Sequence, residues 1–90
     1  MLSPRVTSLI TRCFAERDRE AALRCLLMLD EGLRGTAGDR VMTGMLKCSR
    51  GSLKNLLDAV ALAETDWRDL LVAADLAHDV HAHETWSPDW

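Results

Sequence analysis

The chain has 90 residues, 48% of them hydrophobic, with a net charge of −3 and a pI near 5.5. That length sets one domain with a small core, and the hydrophobic fraction excludes an intrinsically disordered chain. No run reaches the ~18 consecutive apolar residues of a membrane span.

Ser3-Pro4 reads as a helix start, with the Ser3 hydroxyl capping and Pro4 at the first helical position. Val6, Leu9, Ile10, Cys13 and Phe14 then form one apolar stripe at helical spacing. The mixed-charge run Glu16-Arg17-Asp18-Arg19-Glu20 follows. The apolar stripe changes phase across it, so a break is expected there, with Asp18 capping a second helix. Ala21 to Leu29 is the most apolar segment, and Arg24 is its one polar member. A helix apolar nearly all round is buried on several sides. This segment is therefore expected to be the central helix, or one that also faces a second subunit through Arg24 and Met28.

Gly32, Gly35 and Gly38 mark the loosest internal connection. With no strand before them and no Gly-Lys-Ser/Thr after them, they do not form a phosphate loop. Thr36 is placed to cap a third helix, running to about Cys48, with Val41, Met42, Met45, Leu46 and Ser49 on its inner face. Gly44 in its interior suggests close approach of another helix. Ser49 to Ser52 reads as a corner: Gly51 in a left-handed conformation and Ser52 capping the next helix. From Leu53 to Glu64 the stripe is Leu53, Leu56, Leu57, Val60 and Ala61. Thr65 or Asp66 is expected to cap a further helix, with Trp67, Leu70, Leu71, Ala74 and His78 on one face and Arg68 reaching a neighbouring carboxylate. Pro88 stops any helix by about Trp86. The reading is thus all-α, a compact bundle of four to five short helices. Residues 1–83 form the domain and residues 84–90 a Trp-containing tail. Leu26, Leu27, Val41, Leu46, Leu56, Leu57, Val60, Trp67 and Leu71 are expected in the core.

Residues 1–54 carry ten Lys/Arg and six Asp/Glu, net +4, whereas residues 55–90 carry one Arg and eight Asp/Glu, net −7. Such a split suits halves that pack as complementary neighbours, or a dipolar surface that steers a partner. Cys13, Cys25 and Cys48 are widely spaced and odd in number. They read as reduced, largely buried thiols of a cytoplasmic protein. The first residues lack the basic start and long apolar run of a signal peptide.

No nucleophile, base and orienting group fall at a catalytic spacing, so no enzyme and no small-molecule substrate are expected. Lys47, Arg50 and Lys54 gather at the helix corner, but the following helix lacks the Arg, Asn and Gln set that reads base edges, which argues against nucleic acid. The expected function is protein–protein interaction, with self-association and no cofactor, through Arg24, Met28, Trp86 and Trp90. Two tryptophans in a short tail either fold back on the domain, pack on a second copy or await a partner. The alternative is a site for zinc or another divalent metal. Asp75, His78 and Asp79 stand at i, i+3 and i+4, and Asp79 and His83 at i and i+4, so nitrogen and oxygen ligands would share a helical face.

Arg40-Val41, Met45-Leu46-Lys47, Gly51, Ala63, Asp66-Trp67-Arg68-Asp69-Leu70-Leu71 and Ala74, with the Asp18-Arg19 start of the second helix, resemble a pattern of small bacterial proteins. In that pattern RV is followed by ILK, a glycine corner and A..D(W/Y)RD(L/V)L. The resemblance spans roughly residues 18–75 and implies a bacterial, compact, all-helical protein. It brings no catalytic residue with it, and the His- and Trp-rich tail departs from it.

Overall fold

Ser3 starts the first helix as its hydroxyl accepts the Val6 N–H at 3.2 Å, with Pro4 in the first turn. The computed structural model describes residues 2–33, 38–79 and 81–88, and residues 30–33 as backbone alone. Four α-helices, α1 (Pro4–Cys13), α2 (Glu16–Leu33), α3 (Asp39–Ser49) and α4 (Leu53–Ala73), are followed by a 3-10 turn at Ala82–Thr85. The described residues contain no strand. The expected all-α fold is therefore the observed one.

The stripe of α1 lies inward as read: Val6, Leu9, Ile10, Cys13 and Phe14 are all buried. The break after it comes earlier than the charged run. Phe14 is extended and closes α1 by donating its N–H to the Ile10 carbonyl at 3.1 Å. The Arg19 Nε then donates to the Phe14 carbonyl at 3.1 Å, which pins the corner. Asp18 consequently sits inside the first turn of α2 rather than at its cap, where its carboxylate still faces the positive end of the helix.

The central element is α3, not α2. Val41 through Leu46 are six consecutive buried residues, and α3 touches α1, α4 and the 3-10 turn. On α2, only one side is covered: Ala22, Leu26 and Leu29 are buried, whereas Leu27 and Met28 are exposed. Composition alone overstated the burial of α2, because whether its outer face is covered depends on neighbours that the described residues do not supply. Gly38, in extended conformation, is the N-cap of α3, and the cap expected at Thr36 falls outside the described residues.

The α3–α4 corner follows the sequence closely. Arg50 and Gly51 both adopt left-handed backbone, with φ of 51° and 81°. The buried Ser49 holds the turn together: its hydroxyl donates to the Leu46 carbonyl at 2.6 Å and accepts the Gly51 N–H at 3.2 Å. Ser52 caps α4 by accepting the Asn55 N–H at 3.3 Å. The inward face of α4 is Leu56, Ala59, Val60 and Ala63, so Leu57, expected in the core, is 59% exposed. Asp66 interrupts α4 with extended backbone (φ −157°, ψ 101°), and its carboxylate accepts the Arg68 N–H at 3.0 Å. Asp66 thus caps a new helical segment, as its sequence context predicts. Trp67 is half-buried against the core, and the Arg68 guanidinium lies 5.3 Å from the centre of its ring rather than on a carboxylate of another helix.

Gly44 faces the end of α4. A methyl group built there would meet Ala74 Cβ at 3.5 Å, Leu71 Cδ2 at 3.7 Å and Leu76 Cδ1 at 3.7 Å, all ordinary contacts. Close packing therefore does not demand glycine. Glycine in a helix interior costs about 1 kcal/mol relative to alanine. Gly44→Ala should stabilise the protein by about 0.5–1 kcal/mol in chemical denaturation. A loss of stability instead would show that the α3–α4 contact has no slack.

Candidate functional site

The end of α4 decides the fate of the expected metal ligands. Ala74 donates its N–H to Leu70, Asp75 to Val72 at 3.1 Å and Leu76 to Leu71 at 2.9 Å. Asp75 has φ 59°. This is a Schellman ending, with an aspartate in the left-handed position that glycine usually occupies and Leu76 packed against Leu71. Helical spacing stops there, so Asp75, His78, Asp79 and His83 do not share a helical face. Each has a local setting. His78, expected on the inner face of the preceding helix, is exposed, with its Nδ1 3.8 Å from an Asp75 carboxylate oxygen. The Asp79 carboxylate accepts the His81 N–H at 2.8 Å and so shapes the turn. Asp75, His78 and Asp79 do meet in one shallow recess of about 470 Å³, shared with Lys47 and Trp86. Among the described residues, no group of three or more His, Cys, Asp or Glu is placed to hold a metal ion.

The segment after α4 is held by two arginines of the N-terminal half. Arg5 Nη1 donates to the Thr43 hydroxyl at 2.9 Å, and Nη2 donates to the carbonyls of His83 and, at 3.2 Å, Trp86. Arg40 Nη2 donates to the carbonyls of Leu76 at 2.9 Å and Ala77 at 3.2 Å. The basic half thus grips the acidic half here through backbone oxygens. The described ion pairs between side chains, such as Arg24–Glu20 and Lys54–Asp58, are local ones. Trp86 folds back, half-buried against the core. Trp90 lies outside the described residues. His83 Nδ1 is buried, and no hydrogen-bond partner for it lies among the described residues.

Cys13 is buried, and Cys25 and Cys48 are half-buried. Burial pushes the Cys13 thiol up to about 11, against the lowering effect of Arg12. Burial also raises Cys25, helped by Glu64, and raises Cys48 against Lys47. These settings disfavour thiolates and hence nucleophilic chemistry. Because the folded value of Cys13 lies above the unfolded one of about 8.5, its contribution to stability is complete below that pH and disappears as pH rises through about 11. Denaturation at a series of pH values should show this decline, and Cys13→Ala should remove that component of it.

Among the described residues, an apolar surface lies between α1 and α2. It is an open groove of about 670 Å³ lined by Leu2, Pro4, Thr7, Ser8, Thr11, Leu23 and Leu27. The Thr7 hydroxyl donates to the Ser3 carbonyl at 3.1 Å, and that of Thr11 to the Thr7 carbonyl at 3.3 Å. With both hydroxyls turned onto their own helix, the wall is more apolar than its residue names suggest. Leu27, expected in the core, is 37% exposed along this groove, and the neighbouring Met28 is 75% exposed. Arg24 lies on the outer face of α2, its Nη2 2.7 Å from Glu20 Oε1. The expected interaction residues Arg24 and Met28 are both exposed on α2, and the α1 wall was not among the residues expected. The regular spacing of Pro4, Thr7, Ser8 and Thr11 opposite the apolar stripe was the signal for it. No helix among the described residues is long and apolar enough to cross a membrane. Compared with known protein families, with curated proteins and with solved structures, the chain matches none.

Proposed function

We propose that this protein is a small helical interaction module that self-associates through the outer face of α2 and its groove with α1. The observation that supports this reading is a largely apolar groove whose own lining leaves Leu27 exposed, with Met28 exposed one residue further along α2. Scattered surface hydrophobics need no explanation, but two large ones adjoining an apolar depression are the kind of patch that partners cover. The core of such a patch is poor in charge, and the lining of this groove carries no charged residue. Sedimentation of the full chain from about 5 µM to about 500 µM, spanning the range of transient complexes, should give a mass that rises with concentration. Met28→Lys should hold it at the monomer mass while leaving the helical spectrum unchanged. A monomer throughout that range would remove the reading.

A further inference from the structure

We infer that the occupant of the α1–α2 groove is the α2 helix of a second copy, crossing antiparallel about a two-fold axis near the Glu20–Arg24 turn. This inference rests on the self-association reading and adds to it a geometry.

A two-fold interface must be self-complementary, so one patch has to carry both halves of every contact. This patch does. The α1 wall, Pro4, Thr7, Ser8 and Thr11, is built of small side chains that leave the depression. The α2 side carries large side chains that solvent reaches, Leu27 in the groove's lining and Met28 one residue further along the helix. Projections of one copy can therefore seat in the depression of the other.

Charge selects the direction. Glu20 and Arg24 are one turn apart on the outer face of α2, with side chains 75% and 74% exposed. In a parallel pairing, Arg24 would face Arg24 and Glu20 would face Glu20. In the antiparallel pairing, Glu20 of each copy faces Arg24 of the other, and two cross-copy ion pairs replace two repulsions. Leu27 lies five residues beyond the centre of the Glu20–Arg24 turn, about 8 Å along the helix. It then reaches the Thr11 end of the partner's groove, because α1 and α2 are joined there by the two residues between Cys13 and Glu16. α2 has 18 residues, about 27 Å of helix, which is long enough to span this contact on both sides of the axis.

The test uses charge reversal in the full chain at physiological salt, with mass read by sedimentation. Glu20→Arg alone and Arg24→Glu alone should each weaken the dimer by about tenfold or more, since the symmetry places each change in the interface twice. An equimolar mixture of the two single variants should recover a dimer, because every cross-copy pair is then opposite in sign. The double variant E20R/R24E should also recover it. Recovery in the mixture separates a contact between copies from the pair within one helix, which mixing cannot repair. Circular dichroism confirms that the variants remain folded, as expected for exposed positions. If the wild type associates but the single variants bind as tightly, or the mixture stays as weak as its components, the antiparallel α2 geometry is wrong while self-association stands. If the wild type is a monomer throughout, both fail.

Discussion

Leu56→Ala should destabilise this protein by about 3 kcal/mol, whereas Leu57→Ala, one residue along the same helix, should cost less than about 0.5 kcal/mol. Leu56 is fully buried between α4 and the rest of the core, and its truncation both removes apolar burial and leaves a cavity. Leu57 keeps most of its side chain in solvent already. Both substitutions replace leucine by a better helix former, so propensity does not separate them. Urea denaturation of the two variants gives the comparison directly. Equal losses would mean that the inward face of α4 is Leu53, Leu57, Val60 and Ala61 rather than Leu56, Ala59, Val60 and Ala63.

The second large effect is expected at Arg5. Its guanidinium joins α1, α3 and the C-terminal segment in one place, through the Thr43 hydroxyl and the carbonyls of His83 and Trp86. Hydrogen bonds from a charged donor are each worth about 1.5–3 kcal/mol, and losing the donor leaves acceptors that were sheltered from water. Arg5→Ala should therefore cost about 2–3 kcal/mol and release the half-buried Trp86, read as a red shift and quenching change in tryptophan emission. Arg5→Lys should recover only part of this, since an ammonium lacks the planar fork that reaches several acceptors at once. Thr43 is fully buried, so Arg5→Ala and Thr43→Val should be less than additive, with a coupling of about 0.5–3 kcal/mol. Strict additivity would show that the Arg5–Thr43 bond contributes nothing in solution.

Several helix ends were legible because a residue there acts on its own neighbours, although Asp18, expected as a cap, lies inside the first turn of α2. Ser3, Ser52 and Asp66 cap because their side-chain oxygens reach an N–H two or three residues ahead. Gly51 turns the α3–α4 corner because a left-handed backbone suits it. The stripe of α1 was read correctly because large aliphatic residues at one spacing leave no rival face.

The sequence was less informative where burial depends on a neighbour. On α4 two faces compete, and leucine at position 57 outweighs alanine at 59 and 63 when apolar bulk is counted. In the structure α3 lies close to α4, and the small residues Ala59 and Ala63 are buried in the inward face. The end of α4 was missed for a related reason. Asp75 holds a left-handed backbone without being glycine, and the ending is fixed by Leu76 packing on Leu71, a contact that spacing does not announce.

What the sequence determined by itself was therefore local: an all-helical chain, most of its caps and its corner between α3 and α4. What the tertiary structure decided was which apolar surface is covered. It placed α3 at the centre through its contacts with α1, α4 and the 3-10 turn, and it left the more apolar α2 with one side open. It also brought Arg5 and Arg40 onto carbonyls 36 to 81 residues away. Capping is set by atoms within a few residues of one another, and so is written in the chain. Coverage is set by surfaces distant in sequence, and becomes definite only when the helices meet.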